Sequence, residues 1–434
     1  MKRALAALAL LSLSFAGTTL VTVKNGSAGY SEIYPAVVCP PSMKGISSQI
    51  SISSPKTQFQ RLSNRSTKTI PFNTLRYPIS KDSLIVSATG VTPTMWQSRT
   101  GTWAGGVICS GPTSSQWFVG ASADVRTRGR LIVVNSGLSD AIVDVQTFSE
   151  NGKQPLKSLE LKAKSLTVIA LDALATGDKM LAVHVIPRSG RINAFMLDEL
   201  GSGLKSLGGD FVNPIVSDSK LLIIPAIPNQ VVKKGGKILG THTLRILSTS
   251  DMDANFTAEV ISSDGSFIPA GLNSQKINSG RVFEFALAPK ISASAFALRI
   301  ISDEPIVASI SSTLNVSGHK DFVWSTPTPS LVPMTMAVTG LSPVVVFTGK
   351  SISVHVQATL VNGKKLISTI TGSDTAIWRV PKLARSVTIF SATSDTYAGA
   401  LVVTADGIGY IPIMPGSFLT KVEIPRSNIR VLNP

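Results

Sequence analysis

The four histidines of the sequence are the first candidates for acid–base chemistry, because histidine titrates near neutral pH. They are His184, His242, His319 and His355. They share no spacing and lie in different parts of the chain. Only His319 has a neighbouring acid, Asp321, and His355 alternates with valines, which predicts an outward position on a strand. The histidines therefore do not predict a catalytic base.

Two short motifs resemble functional sites but lack essential residues. Residues 53–56 match Ser-x-x-Lys, but a proline interrupts the helix that this motif needs, and its companion motifs are missing. Residues 251–255 resemble the start of a calcium loop, but Phe256 and Ser262 stand where glycine and glutamate are required. We therefore predict no catalytic, cofactor-binding or metal-binding residue, and no enzyme.

Two aspartates occupy the same place in a repeated motif. Asp210 and Phe211 belong to a Gly-Asp-Phe-Val sequence, which Asp321 and Phe322 repeat. We expect each aspartate to accept backbone N–H bonds in a turn at the joint between two repeats, and each phenylalanine to enter the domain interface. A ligand or cation site between domains is the alternative.

Three hairpins form the repeated elements around these joints. Each alternates apolar and polar residues and ends in a turn at Asn151-Gly152, Asp264-Gly265 or Asn362-Gly363. Alternation that ends in Asn-Gly or Asp-Gly is the strongest short-range hairpin signal. Positions five, seven and nine residues before each glycine share one face, which is apolar except for Thr147.

The predicted fold is all-β, with three tandem immunoglobulin-like β-sandwich repeats behind a smaller β unit. A propeller is the alternative, but repeats of roughly 100 residues are too long for single blades. Prolines at the joints predict short, stiff connections. The predicted segments are a signal or anchor at 1–28, a divergent β unit at 34–116, repeats at 117–205, 221–318 and 331–416, and a tail at 417–434.

The N-terminus and the cysteines predict an extracytoplasmic protein. Lys2 and Arg3 precede an uncharged stretch at 4–23. This stretch is either a cleaved secretory signal or an uncleaved anchor helix, since it could span a bilayer core of roughly 30 Å. Cys39 and Cys109 are the only cysteines. In an exported chain one disulfide is expected, and two unpaired buried thiols are the alternative.

The net charge of +16 predicts attraction to anionic envelope polymers or lipid headgroups, although a solvated basic surface would look the same. The positive clusters are Arg126, Arg128 and Arg130, then Lys233, Lys234 and Lys237, then Lys364 and Lys365, and finally Lys421, Arg426 and Arg430 in the tail. Without interleaved aromatics or a recognition helix, nucleic acid is not an expected partner.

The chain resembles an actinobacterial family of exported, often N-terminally anchored β-repeat proteins of unknown function. The residues that carry the resemblance are the two cysteines, the Trp-Phe-Val-Gly sequence at 117–120, the strand at 131–135 and the joint motifs at 209–212 and 321–323. The third repeat departs from the pattern, because it lacks the joint acid. The resemblance implies an envelope location, a context of envelope polysaccharide synthesis and no catalytic residues.

The function predicted from the sequence is a non-enzymatic scaffold or adaptor of the cell envelope. Its expected partner is an anionic envelope polysaccharide or another envelope protein. A carbohydrate-binding module array is the alternative, although an aromatic content of 6% argues against many sugar-stacking platforms. The sequence predicts no oligomeric state.

Overall fold

Strands make up almost all the regular structure of the chain. The computed structural model describes residues 36–417, except 54–56, 65, 70–75, 88–89, 204, 231–232, 235–236 and 239–241. One short 3-10 helix, Leu171–Ala173, interrupts the strands of this part. No helix in the described ranges has the length and apolar character to cross a membrane. The predicted signal or anchor at 1–28 and the tail from 418 onward lie outside the described residues.

The strands fall into four consecutive units. The first unit contains β1 Val37–Cys39, β2 Ser47–Ser51, β3 Gln58–Arg61, β4 Thr67–Thr69, β5 Arg76–Pro78, β6 Leu84–Val86, β7 Val91–Thr92, β8 Thr94–Arg99 and β9 Trp103–Ile108. The second contains β10 Gln116–Val119, β11 Arg130–Asn135, β12 Ala141–Ser149, β13 Gly152–Lys153, β14 Lys157–Leu161, β15 Ser165–Ala170, β16 Ala182–Pro187, β17 Ile192–Ser202 and β18 Lys205–Val212.

The third and fourth units contain longer strands. The third contains β19 Ser219–Pro228, β20 Lys233–Lys234, β21 Lys237–Ile238, β22 His242–Ser248, β23 Ala254–Ser262, β24 Gly265–Phe267, β25 Gln275–Ile277, β26 Val282–Leu287, β27 Ala295–Val316 and β28 His319–Ser325. The fourth contains β29 Met334–Ala337, β30 Val344–Leu360, β31 Lys365–Arg379, β32 Ala384–Ala392, β33 Tyr397–Val403 and β34 Ile408–Pro412.

All four units share one strand order in two sheets. The first unit has the sheets β1-β6-β3-β4 and β5-β2-β8-β9, and the second has β10-β16-β12-β14 and β15-β11-β17-β18. In the third unit the long β27 serves both sheets, pairing β19 and β23 with its first part and β22 and β28 with its second. In the fourth unit β30 and β31 each contribute their first part to one sheet and their second part to the other.

This strand order corrects three details of the sequence-based prediction. The segment at 34–116 has the same strand order as the others, so the chain has four copies of the unit rather than three and a smaller one. The predicted repeats at 117–205 and 221–318 end one strand early, because β18 and β28 close their units. The order also differs from the A-B-E-D and C-F-G sheets of immunoglobulin domains. Alternation and turn residues encode strands, but they do not encode strand order.

The shared faces of the three hairpins point into the protein. Their nine residues, five, seven and nine positions before each turn glycine, are all buried: Val143, Val145, Thr147, Phe256, Ala258, Val260, Val354, Val356 and Ala358. Gly152 and Gly265 have φ of +108° and +109° and follow equivalent two-residue turns. Gly363, at φ +85°, lies in a longer turn.

The four units form a closed cycle, because the last unit also contacts the first. Strand β7 pairs in parallel with β29. Nearby, the amide of Gly111 donates to the carbonyl of Gly416 at 2.6 Å, and the amide of Gly416 donates to Thr92 Oγ1 at 2.9 Å. Because these bonds join residues some 300 positions apart, local sequence patterns did not predict the closure.

Neighbouring units share hydrophobic cores. In β11, Leu131 and Val133 pack into the core of the second unit, whereas Ile132 and Val134 pack against the first unit. Both faces of this sheet are therefore buried, which explains the uninterrupted apolar run of β11. Further shared cores join the second unit to the third around Trp117 and the third to the fourth around Tyr410.

Candidate functional site

The final strands of the four units meet at the centre of the cycle. Strand β18 contacts β9 and β28, and β34 contacts the same two strands. Glycines permit this close approach. A Cβ on Gly209 would lie 2.8 Å from the Trp103 ring, and a Cβ on Gly407 would collide with the Asp321 carboxylate. The centre is therefore too crowded for side chains at these two positions.

Asp321 joins all four units through its carboxylate. Its Oδ1 accepts hydrogen bonds from the amides of Phe322, in its own unit, at 2.9 Å and of Gly209, in the second unit, at 3.2 Å. Its Oδ2 accepts from Ile408, in the fourth unit, at 3.1 Å and from Ala104, in the first unit, at 3.4 Å. Burial outweighs these bonds and raises the pKa of Asp321 to about 6.

Asp198 and Asp210 face each other across β17 and β18, and both bind Trp324 of the third unit. Asp210 Oδ2 accepts from the Trp324 amide at 2.8 Å, and Asp198 Oδ2 accepts from the indole Nε1 at 3.0 Å. Burial raises the pKa of Asp198 to about 6. Burial, together with the nearby Asp321 and Asp198, raises the pKa of Asp210 well above its usual range.

Glu199 joins the second unit to the first. It follows Asp198 on β17 and points to the opposite face of the sheet, as strand geometry requires. Its Oε1 accepts hydrogen bonds from Trp103 Nε1 at 3.0 Å and from Arg99 Nη2 at 2.8 Å, and its Oε2 lies 3.3 Å from Arg130 Nη1. Two consecutive acids thus connect the second unit to both of its neighbours.

Arg245 of the third unit extends this network. Its guanidinium lies over the Trp324 ring, 4.9 Å from the centroid, and Nη2 lies 2.6 Å from Glu284 Oε1. It also donates hydrogen bonds to the backbone carbonyls of Ala121 and Leu181 in the second unit.

We call Asp198, Glu199, Asp210 and Asp321 the central acid cluster.

The structure places the predicted joint residues in strands rather than in turns. Phe211 is fully buried in the core that the first and second units share, and Phe322 is buried in the core of the second unit. Asp321 does accept the amide of the next residue, but most of its bonds cross to other units. His319, the histidine beside Asp321 in sequence, bonds through Nε2 to the carbonyl of Asp406 at 2.9 Å.

The central acid cluster is organised to hold strands together. All but two of its carboxylate oxygens, Oδ1 of Asp198 and Oδ1 of Asp210, have hydrogen-bond partners in the described part of the chain. Within the described residues, no group of three or more histidine, cysteine or acidic side chains is placed to hold a metal ion. The observed bonds of the cluster therefore join strands of different units.

One hydroxyl–imidazole pair was not predicted from the sequence. Ser115 Oγ lies 2.7 Å from His184 Nε2, and the His184 ring stacks on Trp117 with 3.8 Å between centroids. Burial lowers the pKa of His184 to about 4, so its neutral ring is a weak base. Asp218, the acid whose charge acts on His184, lies in hydrogen-bond contact with Thr249 Oγ1 at 2.5 Å. The pair has the residue types of a catalytic dyad, but not the basicity.

The cysteines form the expected disulfide, Cys39–Cys109, which joins the two sheets of the first unit. Of the predicted basic clusters, Arg130 bonds to Glu199 and Arg126 to Asp124. The side chains of Lys233, Lys234 and Lys237 and the tail residues Lys421, Arg426 and Arg430 lie outside the described residues. Lys364 and Lys365 are exposed at the start of β31.

Fold and centre together define a closed protein of four β units whose final strands converge on buried carboxylates. The model of the family of unknown function DUF5719 matches residues 83–371, from the end of the first unit into β31. The chain belongs to this family. No curated protein matches the sequence. One similar solved structure is the crystal structure of Thermotoga maritima 1070, at 14% identity, a TM-score of 0.21, and coverage of 25% of this chain and 91% of that one.

Proposed function

We propose that this protein is a non-enzymatic scaffold or adaptor of the cell envelope, which contacts anionic envelope polysaccharide or another envelope protein. The observation that carries the proposal is the separation of charge between centre and surface. The central acid cluster is buried and bonded between units, whereas lysines such as Lys364 and Lys365 are exposed. With a net charge of +16, such a surface attracts polyanions.

Two further observations support the proposal. The Cys39–Cys109 disulfide is consistent with an extracytoplasmic location, because disulfides persist in oxidising compartments. An uncleaved anchor or a cleaved signal at 1–28 would deliver the chain there, as the sequence predicts. Four of the five tryptophans, Trp96, Trp103, Trp117 and Trp324, are buried, which disfavours the alternative of an array that stacks sugars on exposed rings.

Salt-dependent retention tests the proposed function. The purified chain is applied to an immobilised anionic polysaccharide and to a neutral one of matched length, in 0.1 to 1 M salt. Retention on the anionic matrix should decrease steeply, because the Debye length shortens from about 10 to about 3 Å over this range. Equal retention on both matrices, or insensitivity to salt, would instead support a shaped sugar pocket.

A parallel assay tests the non-enzymatic part of the proposal. The same preparation is incubated with cell-wall glycan, and new reducing ends are measured. We expect none above a heat-denatured control. Release that disappears in a His184→Ala variant would identify the Ser115–His184 pair as catalytic and overturn this part of the proposal.

A further inference from the structure

The longest unpaired strand edge of the described chain belongs to the fourth unit. Strand β31 pairs with β30 along its length, and no described strand pairs with its other edge. The corresponding strands of the second unit, β14 and β15, have only five and six residues, whereas β31 has 15. An unpaired edge presents a row of free backbone N–H and C=O groups to any extended chain.

The first half of β31 is the accessible part of this edge. Residues 365–371 include no buried side chain, whereas Ala376 in the second half is buried. Ile367 is 68% exposed. On the inner face, Leu366 and Ile370 are only partly buried against the core of the unit. An added strand would therefore cover the open rim of this core as well as pair with the backbone.

Positive charge surrounds the same edge. Residues 344–392 contain six lysines and arginines but only one acid, Asp374. Five of these cations are exposed and have no ion-pair partner in the described part of the chain, and all but Lys350 lie in β31 or in the turns at its two ends: Lys364, Lys365, Arg379 and Lys382. The loop 380–383 brings Lys382 to the hairpin turn that Lys364 and Lys365 follow, because the Val361 amide donates to the Leu383 carbonyl at 3.0 Å.

We propose that residues 365–371 of β31 bind an extended acidic segment of a partner protein, which adds one antiparallel or parallel strand to the sheet. Backbone hydrogen bonds would supply the pairing, and acidic side chains would pair with the cations at the hairpin end of this edge, Lys364, Lys365 and Lys382. The proposal rests on the adaptor function above and names its protein partner site. A second copy of this chain is a poorer occupant, since it would bring two sets of unpaired cations to one junction.

Amide hydrogen exchange of the full chain tests the site. The probe is a synthetic seven-residue peptide in which Glu alternates with Val and Thr, with blocked ends. We expect exchange of those 365–371 amides that face the free edge, rather than β30, to slow at least tenfold at saturating peptide. A peptide of the same composition with two central residues replaced by proline should give no protection, because proline cannot complete the pairing.

Charge-reversal variants supply a matched control. Lys364→Glu with Lys365→Glu should weaken peptide binding at least tenfold, as should Ile367→Glu, which replaces an exposed apolar side chain of β31 with a charge of the same sign as those of the peptide. Lys153→Glu with Lys157→Glu alters the corresponding edge of the second unit and should leave binding unchanged. All these side chains are exposed, and circular dichroism checks that the variants fold.

The remaining outcomes separate this proposal from others. Equal protection of 365–371 by an anionic polysaccharide would make the edge a glycan site and overturn the protein-partner assignment. Protection without any ligand, together with a dimer in sedimentation, would identify a second copy as the occupant. If the peptide gives no protection while salt-dependent retention on polysaccharide persists, the edge proposal fails and the proposed envelope function stands.

Discussion

Replacing Asp321 tests whether one carboxylate holds the four units together. In Asp321→Ala, four buried amides from four units lose their acceptor. At about 1.5 kcal/mol for each unsatisfied amide, the loss is about 6 kcal/mol. Against this, the variant removes a buried charge. Because the pKa of Asp321 is raised from 3.8 to about 6, its ionised carboxylate destabilises the folded protein by about 3 kcal/mol at neutral pH. The expected net destabilisation is about 3 kcal/mol.

Asp321→Asn distinguishes the acceptor from the charge. The amide side chain keeps one oxygen, which can accept from two of the four backbone amides. The variant therefore loses about 3 kcal/mol of stability at the other two amides and regains about the same because the buried charge is gone. At pH 7.5 the free energy of unfolding of Asp321→Asn should therefore be close to that of the wild type. Because the pKa of Asp321 is raised, wild-type stability is complete below pH 3.8 and declines as the pH rises through about 6. On acidification to pH 5 the wild type should thus gain about 1 kcal/mol of stability over both variants.

Urea unfolding followed by tryptophan fluorescence measures these differences at both pH values. Asp303→Ala serves as the control, because this exposed aspartate accepts the Asn255 amide at 2.7 Å within a single unit. Asp303→Ala should lose less than about 1 kcal/mol of stability. If Asp321→Ala were no less stable than Asp303→Ala, or if Asp321→Asn were the less stable of the two Asp321 variants, the assignment of Asp321 as the common acceptor would be refuted.

Three further predictions concern the same centre. Asp198, whose pKa is raised to about 6, should contribute stability that is complete below about pH 3.8 and declines by about 3 kcal/mol as the pH rises through 6; over this range Asp198→Asn should therefore lose about 3 kcal/mol less stability to urea than the wild type, and it should keep the decline due to Asp321. Glu199→Gln removes the charge between two partly exposed arginines and should cost about 2 to 3 kcal/mol, whereas Glu160→Gln on the surface should cost less than about 1 kcal/mol in the same assay. Gly407→Ala forces a Cβ into the Asp321 carboxylate and should cost about 3 kcal/mol of stability. The control Gly363→Ala, whose Cβ meets no atom, should cost about 1 to 2 kcal/mol because of its positive φ. Equal losses of the two variants in thermal unfolding would contradict the crowded centre.

The local elements of this fold could be predicted from the sequence, because hairpin signals are local. The faces that contain Val145, Val260 and Val356 alternate with polar residues and precede turn glycines, and all three valines are buried. The first unit escaped recognition because the turn between β3 and β4 contains neither Asn-Gly nor Asp-Gly. Its membership became visible only through strand order, which depends on contacts between residues far apart in the chain.

The central acid cluster was found only in part, for a related physical reason. The repeated joint motif identified Asp210 and Asp321, but Asp198 and Glu199 lie outside that motif and follow the apolar run 194–197. A signal was nevertheless present. Glycine inside a strand often marks close approach of another backbone, and the strands that converge here contain Gly105-Gly106, Gly208-Gly209 and Gly409. Reading those glycines together with the acids would have indicated a crowded, charged centre.

Closure of the cycle fixes how many units the protein can have. Open repeat arrays gain or lose repeats freely, since each repeat contacts only its neighbours. Here a lost or added unit would leave Asp321 without one of its donors and would separate Gly111 from Gly416. The two ends of the described chain, by contrast, are adjacent, because Val38 bonds to Ser110 beside that same contact. A circular permutant that joins these ends and opens at the exposed Val216 would keep every unit and every contact of the cycle.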